Sequence, residues 1–254
     1  MFLRTLYSGS VLILLVLAWF ALTQWTGVIS GARFPSPKET IDALRIIFLD
    51  GYSNGRLHEH VLQSVLLVTM GFAVSSAFGV VTGILMGANK KVEAVINPIF
   101  SLLRPIPPLA WIPLAIVWLG LENSAKILVI FVAAYVPCVI NTFAGIRSLE
   151  VPQREAAAML GLSQPVYYLE VLIPAALPMI FTGLRLSLQA SWTTLVASEL
   201  VGAMRGLGSI LNQASQDILP PMILVGMVSV ALCGWIMTQG LGFIERRAMP
   251  WRSL

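Results

Sequence analysis

Residues 61–89 read VLQSVLLVTMGFAVSSAFGVVTGILMGAN, 29 positions without one Asp, Glu, Lys or Arg. At about 1.5 Å rise per residue, a helix of that length crosses the ~30 Å hydrocarbon layer of a bilayer with room to tilt. Three further stretches, 5–32, 127–146 and 218–244, are equally uncharged, and two more, 94–121 and 171–198, are interrupted only by Arg104 and Arg185. None alternates with period two over ten residues, so the pattern predicts helices rather than a closed β-barrel. The expected fold is therefore an all-α integral membrane protein. Its one transmembrane domain, residues 1–254, has spans near 8–28, 61–87, 94–119, 124–145, 176–199 and 218–243.

Composition points the same way. Of 254 residues, 57% are hydrophobic and 11% charged, with a mean hydropathy of +0.84, whereas soluble domains carry roughly 25% charged residues. Sixteen basic and twelve acidic side chains cannot clothe a soluble surface of this size. The net charge of +4 is read as anchoring to anionic lipid, not as a nucleic-acid footprint. Cys138 and Cys233 both fall in apolar runs and read as core residues. His58 and His60 have only Glu59 between them and no cysteine nearby, too little for a metal site.

The first apolar stretch follows Arg4 and stays uncharged to Ala32, longer than a signal-peptide core, so it reads as a retained helix. With the amino terminus in the cytoplasm, six spans place Arg4, Lys90, Lys91, Arg147, Arg154, Arg246, Arg247 and Arg252 inside. Arg33, Lys38, Arg45, Arg56, Lys126 and Arg205 then lie outside. The short turns Lys90-Lys91 and Glu245-Arg246-Arg247 are the clearer votes under the positive-inside rule, and both termini are expected to be cytoplasmic. From about Pro37 a helix with an apolar stripe of Ile41, Leu44, Ile47 and Phe48 is expected to lie along the outer interface.

A chain that works across a bilayer needs an energy source. The lysine of a phosphate-cradling loop must follow a glycine directly, but Lys38, Lys90, Lys91 and Lys126 follow Pro37, Asn89, Lys90 and Ala125. Any ATP and its magnesium must be bound by another chain, and no cofactor is expected on this one. Ion-coupled carriers bury carboxylates in mid-span. Here Glu122, Glu199 and Asp217 all fall at span ends, which weakens that reading.

The longest inner connection, 145–175, reads as two short helices. Pro152 suits a first helical turn, Gly161 a left-handed C-terminal cap, Ser163 the next N-cap and Pro165 its first turn, with an expected stop near Pro174. Ala156, Ala157 and Ala158 offer almost no side chain, so a partner can approach the backbone closely. Glu155-Ala156-Ala157, then Gly161, then Val171-Leu172-Ile173-Pro174 resembles the EAA loop of the membrane subunits of bacterial ABC importers. The family has Ile and Leu where this chain has Val171 and Ile173. The resemblance extends from about 33 to 252, through Phe34-Pro35-Ser36-Pro37 and Arg104-Pro105-Ile106-Pro107-Pro108-Leu109-Ala110-Trp111, and looks like the nitrate, sulfonate and taurine branch. Trp192 to Leu200, Arg205-Gly206-Leu207-Gly208 and the tail Glu245 to Trp251 look most like taurine permeases.

That resemblance implies a type I ABC importer permease of the inner membrane, itself no enzyme. The implied partners are a second copy, two ATP-binding subunits and a periplasmic solute-binding protein. Glu155, Ala156, Ala157 and Gly161 would dock the ATP-binding subunit, and Pro174 would end that surface. Within the family, nitrate, bicarbonate, an aromatic carboxylate or a vitamin precursor stand beside taurine as solutes. Outside it stand an ion-coupled carrier and a membrane scaffold or enzyme.

Span five is rich in polar groups: Arg185, Ser187, Gln189, Ser191, Thr193, Thr194, Ser198 and Glu199, more than a lipid-facing helix holds. Its polar side is expected to face a solute path, with Trp111 and Trp192 as candidate walls. Arg185 and Glu199 lie about 21 Å apart along the axis, so each needs its own partner. Arg185 suits an anion in transit, or else snorkels to the inner surface. Four prolines between Pro105 and Pro113 predict a break in span three. Gly202, Gly206 and Gly208 predict a pliant outer turn that either meets the binding protein or is only a loop.

Overall fold

The computed structural model describes residues 11, 13–25, 34–149, 157 and 159–251. Helices dominate them, in the order α1 (Ile13–Gln24), α2 (Pro37–Leu49), α3 (Leu57–Ala88), α4 (Lys90–Leu103), α5 (Ile112–Leu119), α6 (Asn123–Arg147), α7 (Gln164–Leu200), α8 (Leu207–Gln216) and α9 (Pro220–Ala248). Among the described residues, α3, α6, α7 and α9 are each long and apolar enough to cross a membrane. The expected third span is two helices, Lys90–Leu103 and Pro108–Leu119, meeting at 83°. Pro105, Pro107 and Pro108 remove backbone donors in close succession there, so the helical ladder has nothing to continue with.

The chain forms two compact units. One comprises Met1–Gln63 and Ala203–Ala231, the other Ser64–Gly202 and Leu232–Leu254. In the first, Ser36 caps α2 in a reciprocal box: its hydroxyl accepts from Glu39 N–H, and the Glu39 carboxylate accepts from Ser36 N–H at 2.7 Å. Ala43 and Ile47 are buried while Ile41, Leu44 and Phe48 stay exposed. The loop before α3 is stitched to the turn before α8. The His60 ring, fully buried, accepts from Gly206 N–H at 3.0 Å through Nδ1 and donates through Nε2 to the Tyr52 carbonyl at 2.9 Å. Gly206 takes φ +135, a conformation that suits glycine. Arg205 Nε donates to Asn54 O, and Tyr52 Oη donates to the Asp217 carboxylate at 2.5 Å. Burial, then the bond to Asp217 and its charge, push the Tyr52 phenol well above its ordinary pKa.

The second unit is built around α6, which packs against both α3 and α7. Gly71, Gly79, Gly83 and Gly87 of α3 meet Ile130, Cys138, Thr142 and Ile146 of α6 so closely that an added Cβ would lie 2.5–2.8 Å from those side chains. Gly145 and Gly183 do the same between α6 and α7, against Met179 and Asn141. Small residues at this spacing let helix backbones approach and gain dispersion contacts that lipid cannot supply. Cys138 is wholly buried in this seam, and both cysteines are free.

The helix that begins after Ser163 departs from the sequence expectation, because it does not stop near Pro174. Tyr167–Leu172 widen into a π-helical turn and the α-helix resumes at Ile173, so Pro174 falls in a first α-turn. A proline lacks the N–H that such a position has no need to donate. The 145–175 segment therefore already contains the start of α7, which runs unbroken for 37 residues.

Candidate functional site

Two features of the second unit carry chemistry, the turn before α7 and the polar faces of α7 itself. Glu155 and Ala156 lie outside the described residues. Gly161 has φ +63, and Leu162 N–H donates to the Ala157 carbonyl at 3.4 Å, the six-to-one bond of a helix C-terminal cap. Among the described residues, its chain neighbours aside, nothing lies within 4 Å of where a Gly161 Cβ would sit. Ala157 is buried, and the apolar side chains that project here are Met159 and Leu160, 83% and 76% exposed. Sequence reasoning fixed on the small residues and passed over these two, although an apolar pair just before a capping glycine is itself a signal.

Behind this turn the connection is anchored. Leu149, Leu172, Ala176 and Ile180 form a buried cluster with Ile146 of α6, against which Tyr167 and Tyr168 pack. Arg147 at the end of α6 pairs with Glu93 of α4 and lies over the Phe143 ring. Loop position is thus tied to α4, α6 and the first turns of α7.

The polar residues of α7 divide into an exposed line and a buried set. Thr182, Arg185, Gln189 and Thr193 recur at helical spacing and are exposed. Thr182 and Thr193 each bond a carbonyl one turn back, which satisfies their hydroxyls within the helix. Arg185 pairs with Glu245 of α9, a carboxylate 2% exposed. The partner was not evident in the sequence, because Glu245 reads there as one charge of a surface turn.

Buried polar groups occupy the rest of the helix: Ser187, Ser191, Trp192, Thr194, Ser198 and Glu199, the last about 40° round the axis from Arg185 but nearly four turns further along. Ser187 donates to Ala134 O of α6 at 2.6 Å and Ser198 to Leu195 O at 2.7 Å. Glu199 is completely enclosed and accepts from Ser64 Oγ at 2.9 and 3.1 Å, with the buried Lys126 within electrostatic reach. A cavity of about 20 Å³ is lined in part by Glu122, Lys126 and Ser198. That is room for one water. Trp192 packs near Gly234, and its indole N–H finds no hydrogen-bond partner among the described residues.

Trp111 stands apart from both groups of polar residues, in the wall of a cavity of about 510 Å³ with Arg104, Phe100, Phe131 and Tyr135. The structure thus brings together Arg185, Gln189 and Thr193 on an open face, and Ser198, Glu199 and Trp192 in the interior. Among the described residues no group of three His, Cys, Asp or Glu is placed to hold a metal.

The comparisons with known proteins accord with this architecture. The family model described as "Binding-protein-dependent transport system inner membrane component" matches residues 79–248. The taurine transport system permease protein TauC of Escherichia coli (strain K12) is 34% identical over 250 residues, covering 98% of this chain and 90% of its own. The nitrate import permease protein NrtB of Synechocystis is 32% identical over 252 residues, covering 96% and 92%. A chain of the inward-facing MetNI methionine ABC transporter superposes with a TM-score of 0.57 at 20% identity, over 73% of this chain and 95% of that one.

Proposed function

The chain belongs to the inner membrane components of binding-protein-dependent transport systems, and from that premise we propose that it carries a small organic oxyanion, taurine or another sulfonate, into the cell. At the level of the family it is a multi-pass ABC importer permease subunit with the type I fold, and is not itself an enzyme. The open face of α7 is the observation that carries the finer reading. Arg185, Gln189 and Thr193 offer a cation and polar groups along one exposed line of a membrane helix. Trp192, Ser198 and Glu199 are buried and support that face without meeting solute, and Trp111 lines a separate cavity. The same face serves nitrate, bicarbonate, an aromatic carboxylate or a vitamin precursor, since what it reads is charge.

The working assembly is a homodimer with two ATP-binding subunits inside and a solute-binding protein outside, in the inner membrane with both termini cytoplasmic. ATP and magnesium stay on the partner subunits. The 145–175 connection is the coupling element: Glu155, Ala156, Ala157 and Gly161 seat it in the ATP-binding subunit, Pro174 in the first turns of α7 bounds that surface, and the projecting Met159 and Leu160 add apolar contact.

Uptake of labelled taurine by cells lacking the chain, with its natural partner subunits present, tests the reading. Restored uptake on re-expression, abolished without ATP or the binding protein, is expected. Uptake that follows the proton or sodium gradient instead identifies an ion-coupled carrier. An assembled complex that leaves taurine outside removes the taurine assignment.

A further inference from the structure

A recess of about 370 Å³ opens where α7 and α9 carry Arg185, Thr238, Gln239, Gly242 and Arg246. Its chemistry is one-sided, because the walls hold two guanidiniums, an amide and a hydroxyl but no carboxylate. Thr238 spends its proton on Gly234 O, so the donors left for a ligand are those of the arginines and Gln239. Arg246 bonds Gly242 O through Nε, which steadies the guanidinium without using its fork of NH2 groups. Among the described residues nothing outside the helix's own backbone lies within 4 Å of where a Gly242 Cβ would sit, so this position leaves the recess wall bare.

The carboxylate belonging to this group is the buried one, Glu245, paired with the half-exposed Arg185. That pairing decides what the recess does. Two unopposed arginines would grip a passing oxyanion, whereas transport needs sites that release. A buried carboxylate stripped of its partner is costly and draws the partner back.

We propose that Arg185, Gln239 and Arg246 form an oxyanion site in which Glu245 is the resident counter-ion. An arriving sulfonate, carboxylate or phosphate oxygen takes over the Arg185 fork while Arg246 and Gln239 hold its other oxygens. When the anion leaves, Glu245 reclaims Arg185. As a step in solute passage this rests on the importer reading above; the same oxyanion chemistry is also offered by an anionic lipid headgroup.

Equilibrium binding of radiolabelled sulfate to the permease and ATP-binding subunit complex in nanodiscs tests it. Glu245→Gln is expected to tighten sulfate about tenfold and Arg246→Gln to weaken it about tenfold. Gly242→Leu, which fills open space in a helix, is expected to abolish binding while raising the unfolding temperature. Sulfate affinity equal in phosphatidylcholine discs with and without phosphatidylglycerol assigns the site to solute, whereas displacement by phosphatidylglycerol assigns it to lipid. Arg246 and Gly242 lie at the recess surface, so their variants remain decisive even if Glu245→Gln fails to assemble. Affinities unchanged in Arg246→Gln and Gly242→Leu overturn the proposal. Altered affinities in a complex that imports no oxyanion keep the site and remove the transport reading; import with unaltered affinities does the reverse.

Discussion

Arg185 and Glu199 sit 14 positions apart on one helix and point within about 40° of each other, yet one end of that line is open and the other sealed. The Arg185 side chain is 45% exposed beside a recess, whereas Glu199 has no exposure at all and is held by Ser64 near Lys126. A charge in a membrane helix is therefore not in itself a mark of the transport path. What covers it decides whether it meets solute or braces the fold.

The sharpest way to break that contrast is Glu199→Leu. It removes the carboxylate to which Ser64 donates and the negative charge facing the buried Lys126, and taking away the counter-charge of a buried ion costs about 3–5 kcal/mol. We expect the variant to be absent from the membrane fraction or to unfold far below the native temperature; a native unfolding curve would mean that the sealed end is not structural. Gly83→Leu attacks the packing at a different depth, in the α3 seam, where a Cβ would lie 2.5 Å from Thr142. Overpacking of this kind costs about 1–3 kcal/mol, to be read as a lowered unfolding temperature with the complex still formed.

At the open end the signs separate. Arg185→Gln is expected to lower oxyanion uptake about tenfold, the loss of one charge-assisted hydrogen bond. The unfolding temperature should fall as well, because the change leaves the buried Glu245 carboxylate without its partner. Full uptake in this variant would leave snorkelling as the role of Arg185. The smallest effect belongs to Asp217, a carboxylate in contact with Tyr52 at the surface. Tyr52→Phe should cost about 1 kcal/mol or less. Since the Tyr52 pKa is raised in the folded chain, the stability it contributes is present below about pH 10 and is lost as pH rises further. Thermal unfolding of wild type and Tyr52→Phe should therefore converge in strong alkali.

Much of this was legible because it is local. Runs of apolar residues mark α3, α6, α7 and α9, the prolines from Pro105 to Pro113 mark the 83° bend, and Gly161 marks its own left-handed turn. The Arg185–Glu245 pair was not legible, because 60 residues separate two charges whose meeting depends on helix packing. The union of Ser64 with Glu199 is of the same kind. The glycines at 79, 83 and 87 repeat every fourth position and were readable as a packing seam, but their partner, α6, was not. Pro174 misled for a subtler reason: a proline forbids a hydrogen bond, and a π-helical turn ahead of it removes the need for one.

That last detail has a mechanical consequence. With no joint at Pro174, α7 is a single strut about 55 Å long, fixed at one end to the turn that bears Met159 and Leu160 and closed at the other by Glu199. A helix resists bending over this distance far more than it resists tilting. A displacement applied at the turn therefore arrives at Arg185 as rotation of the whole rod instead of being absorbed in a hinge, and stroke at one end becomes swing at the other.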